Sequence, residues 1–106
     1  MNLKLTGHHL EITSPLRDYI HTKFKRLTRH FDDVINTQIT LAVEHDTHRA
    51  EATMHVRGHH MHARAEHSDM YAAIDTLTGK LDRQILKYKE KRKDHHQSQI
   101  THHQLN

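Results

Sequence analysis

Three stretches decide the fold: Ile39-Thr40-Leu41-Ala42-Val43, Ala50-Glu51-Ala52-Thr53-Met54-His55-Val56 and Met61-His62-Ala63-Arg64-Ala65. In the first, Ile39, Leu41 and Val43 recur at every second position. Ala50, Ala52, Met54 and Val56 do so in the second, and Met61, Ala63 and Ala65 in the third. A period of two belongs to a β-strand with one buried face and one wet face. The connections are short: His45-Asp46-Thr47-His48 supplies one turn and Gly58 marks the other. Consecutive strands so joined pair as an antiparallel meander. Each has a polar face, so the sheet is expected to be covered on one side only.

On either side the period changes to that of a helix. Leu16, Ile20, Phe24, Leu27 and Phe31 fall at spacings of three and four. They form one apolar stripe on a helix predicted to run to about His30. Ser14 is the expected cap, Pro15 suits the first turn, and Asp32-Asp33 ends the helix. Downstream, Met70, Ile74, Leu77, Leu81, Ile85 and Tyr88 form a second stripe. That helix is expected to start behind Ser68 and to reach about Lys93. Asn2 to Thr6 alternates, with Leu3 and Leu5 on one side, and reads as a first strand that Leu10 and Ile12 extend. The order is β-α-β-β-β-α. An α+β fold follows, a four-stranded sheet with two helices packed on one face. Residues 1–93 form a single domain. Residues 94–106 are polar and aperiodic and read as a mobile tail.

Composition narrows the function. The 106 residues suit one domain, and 34% hydrophobic content leaves a thin core. With no cysteine, disulfides and cysteine-based zinc sites are excluded. Met1 to Leu5 lacks the apolar run of a signal peptide, and no segment approaches a membrane span. A soluble, cytoplasmic protein is expected. Glycine totals three, so no phosphate-cradling loop is available. No nucleophile elbow or obvious carboxylate pair is present, so catalysis is not expected.

The net charge of +3 is less informative than its distribution. Residues 16–31 sum to +4, residues 32–79 to −5 and residues 80–93 to +5, histidines taken as neutral. Two basic segments flank an acidic middle, a pattern that points to a polyanionic partner. Lys80, Arg83, Lys87 and Lys91 sit at spacings of three, four and four. They fall in one narrow sector of the second helix, roughly 115° from its apolar stripe. A row of cations, one per turn, suits a phosphate backbone. Lys23 and Arg26 flank the stripe of the first helix and would border a shared groove if the helices lie side by side. The row by itself also fits an ordinary solvated helix face. RNA is favoured over DNA because no recognition-helix motif is visible. Phe24, Phe31, Tyr19, Tyr71 and Tyr88 are mostly wanted by the core, so a base-stacking platform is poorly supplied.

Fifteen histidines, several in pairs, invite a metal reading. His60 and His62 would share one strand face, but HExxH spacing and cysteine partners are both missing. The more general consequence is that acidification adds positive charge and strengthens polyanion binding.

Several segments carry a family resemblance. They are Leu10-Glu11-Ile12-Thr13 leading into Leu16-Arg17, Lys23-Phe24 with Leu27, Asp69-Met70-Tyr71-Ala72-Ala73-Ile74-Asp75, and Lys80-Leu81-Asp82-Arg83-Gln84. From Asn2 to about His95 the chain resembles the short bacterial ribosome hibernation promoting factors and the related ribosome-associated inhibitor. The resemblance implies a fold similar to double-stranded RNA-binding domains. It implies a site on the small ribosomal subunit and its ribosomal RNA, where the protein excludes messenger and transfer RNA. It matches Lys23, Arg26, Lys80, Arg83, Lys87 and Lys91 to RNA contacts, with Arg17 and Lys89 as further candidates. Asp69 to Asp75 is read as capping and packing the second helix. Met61-His62-Ala63-Arg64-Ala65-Glu66 is closer to the promoting branch, which acts with a ribosome modulation factor to pair inactive ribosomes. The inhibitor branch carries an acidic tail, whereas Asp94 is the only acid after Lys93 here. A protein monomeric off the ribosome, without cofactor or metal, is expected. The other readings are an inhibitor-branch factor that silences single ribosomes and hinders their pairing, a modulator of sigma-factor-dependent transcription, and a histidine-rich metal buffer.

Overall fold

The structure, a computed structural model, describes residues 2–29 and 31–105, with side chains described as far as Lys91. Six elements follow in chain order: β1 (Asn2–His8), α1 (Ser14–Leu27), β2 (Val34–Glu44), β3 (Thr47–Val56), β4 (His59–His67) and α2 (Met70–Leu105). The strands form one sheet in the order β1-β2-β3-β4. β2, β3 and β4 are the expected antiparallel meander. β1 pairs parallel to β2, so the chain must cross over between them, and α1 is that crossover.

The register explains the core. Leu5, Ile39, Ala52 and Ala63 stand in one row across the sheet, and Leu3, Thr37, Met54 and Met61 in the next. Leu41, Ala50 and Ala65 make a third. α2 lies against β3 and β4 and touches α1. Leu16, Ile20 and Phe24 of α1 and Ile74, Leu77, Leu81 and Ile85 of α2 are buried with these rows in one cluster. Both apolar stripes therefore face the sheet, as their spacing predicted.

The ends of the elements depart from the sequence reading. Thr13, not Ser14, caps α1: its backbone is extended and its Oγ1 accepts from Leu16 N at 3.4 Å. Likewise Asp69, not Ser68, caps α2, with Oδ2 accepting from Ala72 N at 3.1 Å. In each case the residue just before the first helical one reaches the N–H three positions on. α1 ends at Leu27 because Thr28 turns back, its hydroxyl and its N–H both donating to the Phe24 carbonyl at 3.0 Å. Phe31 therefore enters the core from a loop. The α2 backbone continues to Leu105, past the end expected near Lys93; no glycine or proline follows Gly79 to stop it. The mobile tail expected over 94–106 lies outside the residues whose side chains are described.

β1 stops at His8, and the extension through Leu10 and Ile12 does not form. His9 turns the chain with φ 56°, bringing the Leu10 carbonyl back over Gly7. A Cβ at Gly7 would stand 2.5 Å from that oxygen. Gly7→Ala should therefore destabilise the domain by about 1–3 kcal/mol, the range for overpacking. Gly79 lies in α2 with nothing within 4 Å of its Cβ position. Gly79→Ala should stabilise by about 0.5–1 kcal/mol. Urea unfolding of both variants checks the pair; equal effects would contradict this reading of Gly7.

Candidate nucleic-acid interface

The cations of α2 are presented because the opposite side of the helix is buried. Leu77, Leu81 and Ile85 hold α2 on the sheet, and Lys80, Arg83, Lys87 and Lys91 are all exposed. Two polar side chains fix the flank that overlies the edge strand β4. Lys80 Nζ donates to the Arg64 carbonyl at 2.6 Å, and Gln84 Nε2 donates to the His62 carbonyl at 2.7 Å. These bonds cover carbonyls of the sheet edge. They leave Lys80 exposed, with two of its three ammonium donors beyond this bond.

Beyond Gln84 the same flank opens into a groove of 560 Å³. Lys87, Lys91, Gln84 and Tyr88 of α2 form one wall; Gly58 of the β3–β4 turn, with His59 and Met61 of β4, forms the other. The Tyr88 hydroxyl donates to the Arg57 carbonyl at 3.2 Å and lies 3.5 Å from Asp33 Oδ2. Its ring meets Phe31 edge-on at 5.5 Å, and His59 lies nearly parallel to it, 5.9 Å away and tilted by 18°. His59 and Tyr88 form an aromatic surface that the sequence reading missed. Register was the missing information: the first histidine of β4 and the last core tyrosine meet only once α2 is laid along β4.

The α1 cations lie elsewhere. Lys23 and Arg26 line a 290 Å³ groove between the helices, with Leu27, Asp75, Thr78, Gly79 and Asp82. No residue of the Lys80–Lys91 row lines it, so the two basic sets do not share a groove. α2 stands between them, turning Asp75 and Asp82 to α1 and the cations of the row to the other side. Lys23 Nζ is 3.1 Å from Asp75 Oδ1. The Tyr19 hydroxyl donates a short bond to the same oxygen, and the Tyr19 ring meets Tyr71 edge-on at 4.9 Å. The Tyr19 bond, helped by Lys23, holds the Asp75 carboxyl below its ordinary range, although partial burial opposes this. The bond to Asp75, burial and the carboxylate charge push the Tyr19 hydroxyl up. Lys89 Nζ lies 5.8 Å from the Phe31 ring centre, which separates it from the row. Arg17 is exposed in the first turn of α1.

The open face of the sheet pairs its own charges. Arg64 meets Glu66 at 2.7 Å and Arg49 meets Glu44 at 3.9 Å. His62 bridges Thr53 Oγ1 at 2.9 Å and Glu51 at 3.4 Å. His60 is on the same face, as expected, with its ring against His55 at 4.4 Å. Among the described residues no group of three or more histidines or carboxylates is placed to hold a metal ion. Nor is any described helix long and apolar enough to cross a membrane.

The family model described as sigma 54 modulation protein / S30EA ribosomal protein matches residues 3–93. The chain belongs to this family. A ribosome hibernation promoting factor from Azotobacter vinelandii is 48% identical over 99 residues, 93% of this chain and 92% of the relative. One from Escherichia coli is 47% identical over 95 residues, 90% of this chain and all of the relative. A ribosomal subunit interface protein from Coxiella burnetii superposes with a TM-score of 0.81 at 30% identity, covering 85% of this chain and 99% of that one. The N-terminal domain of Protein Y from Thermus thermophilus gives 0.78 at 35%, covering 83% and 99%. The family is one of ribosome factors, not enzymes, in agreement with the reading of the residues.

The Tyr19–Asp75–Lys23 cluster joins the two helices across their groove. Because the folded carboxyl is held below its unfolded value, the contact stabilises at neutral pH. That contribution fades as pH falls through the folded value. Tyr19→Phe should raise the Asp75 carboxyl toward its ordinary range and cost about 1 kcal/mol or less, the pair being half exposed. Carbon NMR titration of Asp75 checks this; an unmoved carboxyl would contradict it.

Proposed function

We propose that this chain is a ribosome hibernation factor that docks on the small ribosomal subunit through RNA phosphates and silences it by occupancy. The observation that carries this is the exposed row Lys80, Arg83, Lys87 and Lys91, on a helix whose other side is locked to the sheet. A fixed row of cations tracks a backbone without reading bases, as shape-directed RNA binding requires. The relatives' names supply the ribosome as its carrier. Lys23, Arg26 and Arg17 on α1, and Lys89 beyond the row, add further contacts around the same helix. The paired charges of the open sheet face make it the weaker surface for RNA.

The protein sits in the cytoplasm, in the channel of the subunit, where it excludes messenger and transfer RNA. It is monomeric off the ribosome. With a ribosome modulation factor it supports paired, inactive ribosomes in stationary phase or stress. Asp94 is the only acid among residues 94–106, so this segment lacks the charge that would repel RNA and mark the inhibitor branch. The family description also names sigma 54 modulation. That reading needs a protein partner, and the polyanion-directed row favours RNA.

Replacing Lys80, Arg83, Lys87 and Lys91 together by Gln should abolish co-sedimentation with small subunits while thermal unfolding stays cooperative. The slope of log affinity against log salt should become shallower by roughly 0.7–0.9 for each phosphate that is no longer neutralised. A folded quadruple variant that binds like the parent overturns the proposal.

A further inference from the structure

The groove beside Lys87 and Lys91 has features that a phosphate-tracking row does not need. We propose that it seats one unstacked nucleotide of an RNA strand, the base against Tyr88 and His59 and the backbone along Lys87 and Lys91. This rests on the RNA-binding reading above and adds to it a preference for unpaired nucleotides.

Four observations converge on that occupant. The Tyr88 ring is fixed by its hydroxyl bond to the Arg57 carbonyl and by the edge of Phe31. A ring already held in place gives up little freedom when a base stacks on it. His59 is exposed at the start of β4, just after the turn that Gly58 makes with φ 72°, and it faces Tyr88 nearly in parallel. It is thus placed to extend the stacking surface beside Tyr88; histidine and tyrosine both serve as base platforms. Met61 adds an apolar lining. Lys87 and Lys91 stand one turn apart on the wall, about 6 Å along the helix axis, and supply cations to the backbone on which that base hangs.

Charge favours this groove over two other recesses among the described residues. Asp75 and Asp82 line the groove between the helices, and Glu44 and Glu66 line a recess on the open sheet face. Among the described residues no carboxylate lines the groove of Tyr88. In those two recesses the carboxylates offset the cations beside them, Lys23 and Arg26 in one and Arg49 and Arg64 in the other, so a nucleotide phosphate is attracted more strongly to Lys87 and Lys91. In a regular duplex the base faces are already stacked on their neighbours, so the seat requires an unpaired residue.

The test uses the full chain, a short oligoadenylate, the same sequence as a duplex, and adenosine monophosphate. The Tyr88 and His59 ring resonances should shift with oligoadenylate and stay in place with the duplex. His59→Ala should weaken oligoadenylate binding by about fivefold or more, and His59→Phe should restore it. The salt slope should not change with either substitution, because stacking releases no counterions, whereas Lys87→Gln should make it shallower. The seat is refuted if His59→Ala binds oligoadenylate as tightly as the parent. It is also refuted if adenosine monophosphate binds as tightly as oligoadenylate, which marks a free-nucleotide site. Parent co-sedimentation with small subunits is measured alongside. Its absence refutes the hibernation reading, while its retention with an indifferent His59→Ala refutes the seat alone.

Discussion

Ala50, Ala52, Ala63 and Ala65 give β3 and β4 a shallow floor, and α2 lies on it. Larger residues at these positions would lift the helix away from the sheet. The small floor lets Ile74, Leu77, Leu81 and Ile85 bury completely in a chain with little apolar residue to spare. Everything proposed for this protein depends on that seating. It fixes the rotation of α2 about its own axis, and the rotation decides which side chains reach solvent and which strand they overlie. Lys80 and Gln84 then tie the helix to the edge of β4, so its placement is set by hydrogen bonds as well as by packing.

One rotation produces two chemically different flanks. Toward α1, α2 presents Asp75 and Asp82, and Asp75 gathers Tyr19 and Lys23 into a contact that joins the helices. Toward the β3–β4 turn it presents Lys87 and Lys91, with no carboxylate among the described residues that line their groove. The formal charge of the chain is small because both signs are abundant. Sorting them by helix face lets a modest net charge yield a surface that attracts RNA.

The element order was legible in the sequence because its two periods are clean. Ile39, Leu41 and Val43 can only alternate, and Ile74, Leu77, Leu81 and Ile85 can only follow a helix. Helix starts were legible to within one residue: Thr13 and Asp69 cap where Ser14 and Ser68 were expected, since adjacent polar residues compete for the same N–H groups. The exposure of the α2 row also followed from spacing. Its separation from Lys23 and Arg26 did not, because that depends on which flank of α2 meets α1. The surface of His59 and Tyr88 was hidden for a similar reason. Tyr88 reads as core from its spacing, and only the register of β4 brings that strand's first histidine against it.

The absence of cysteine makes the central claim directly measurable, since one introduced cysteine can carry a single probe. An iron chelate tethered at Glu90→Cys, on exposed α2, or at Gln38→Cys, on the open sheet face, generates hydroxyl radicals that cut nearby RNA. With the protein bound to small subunits, the account predicts strong, localised cuts in ribosomal RNA from position 90 and weaker ones from position 38. Strong cutting from position 38 with little from position 90 would place the sheet, not α2, against RNA and contradict the account.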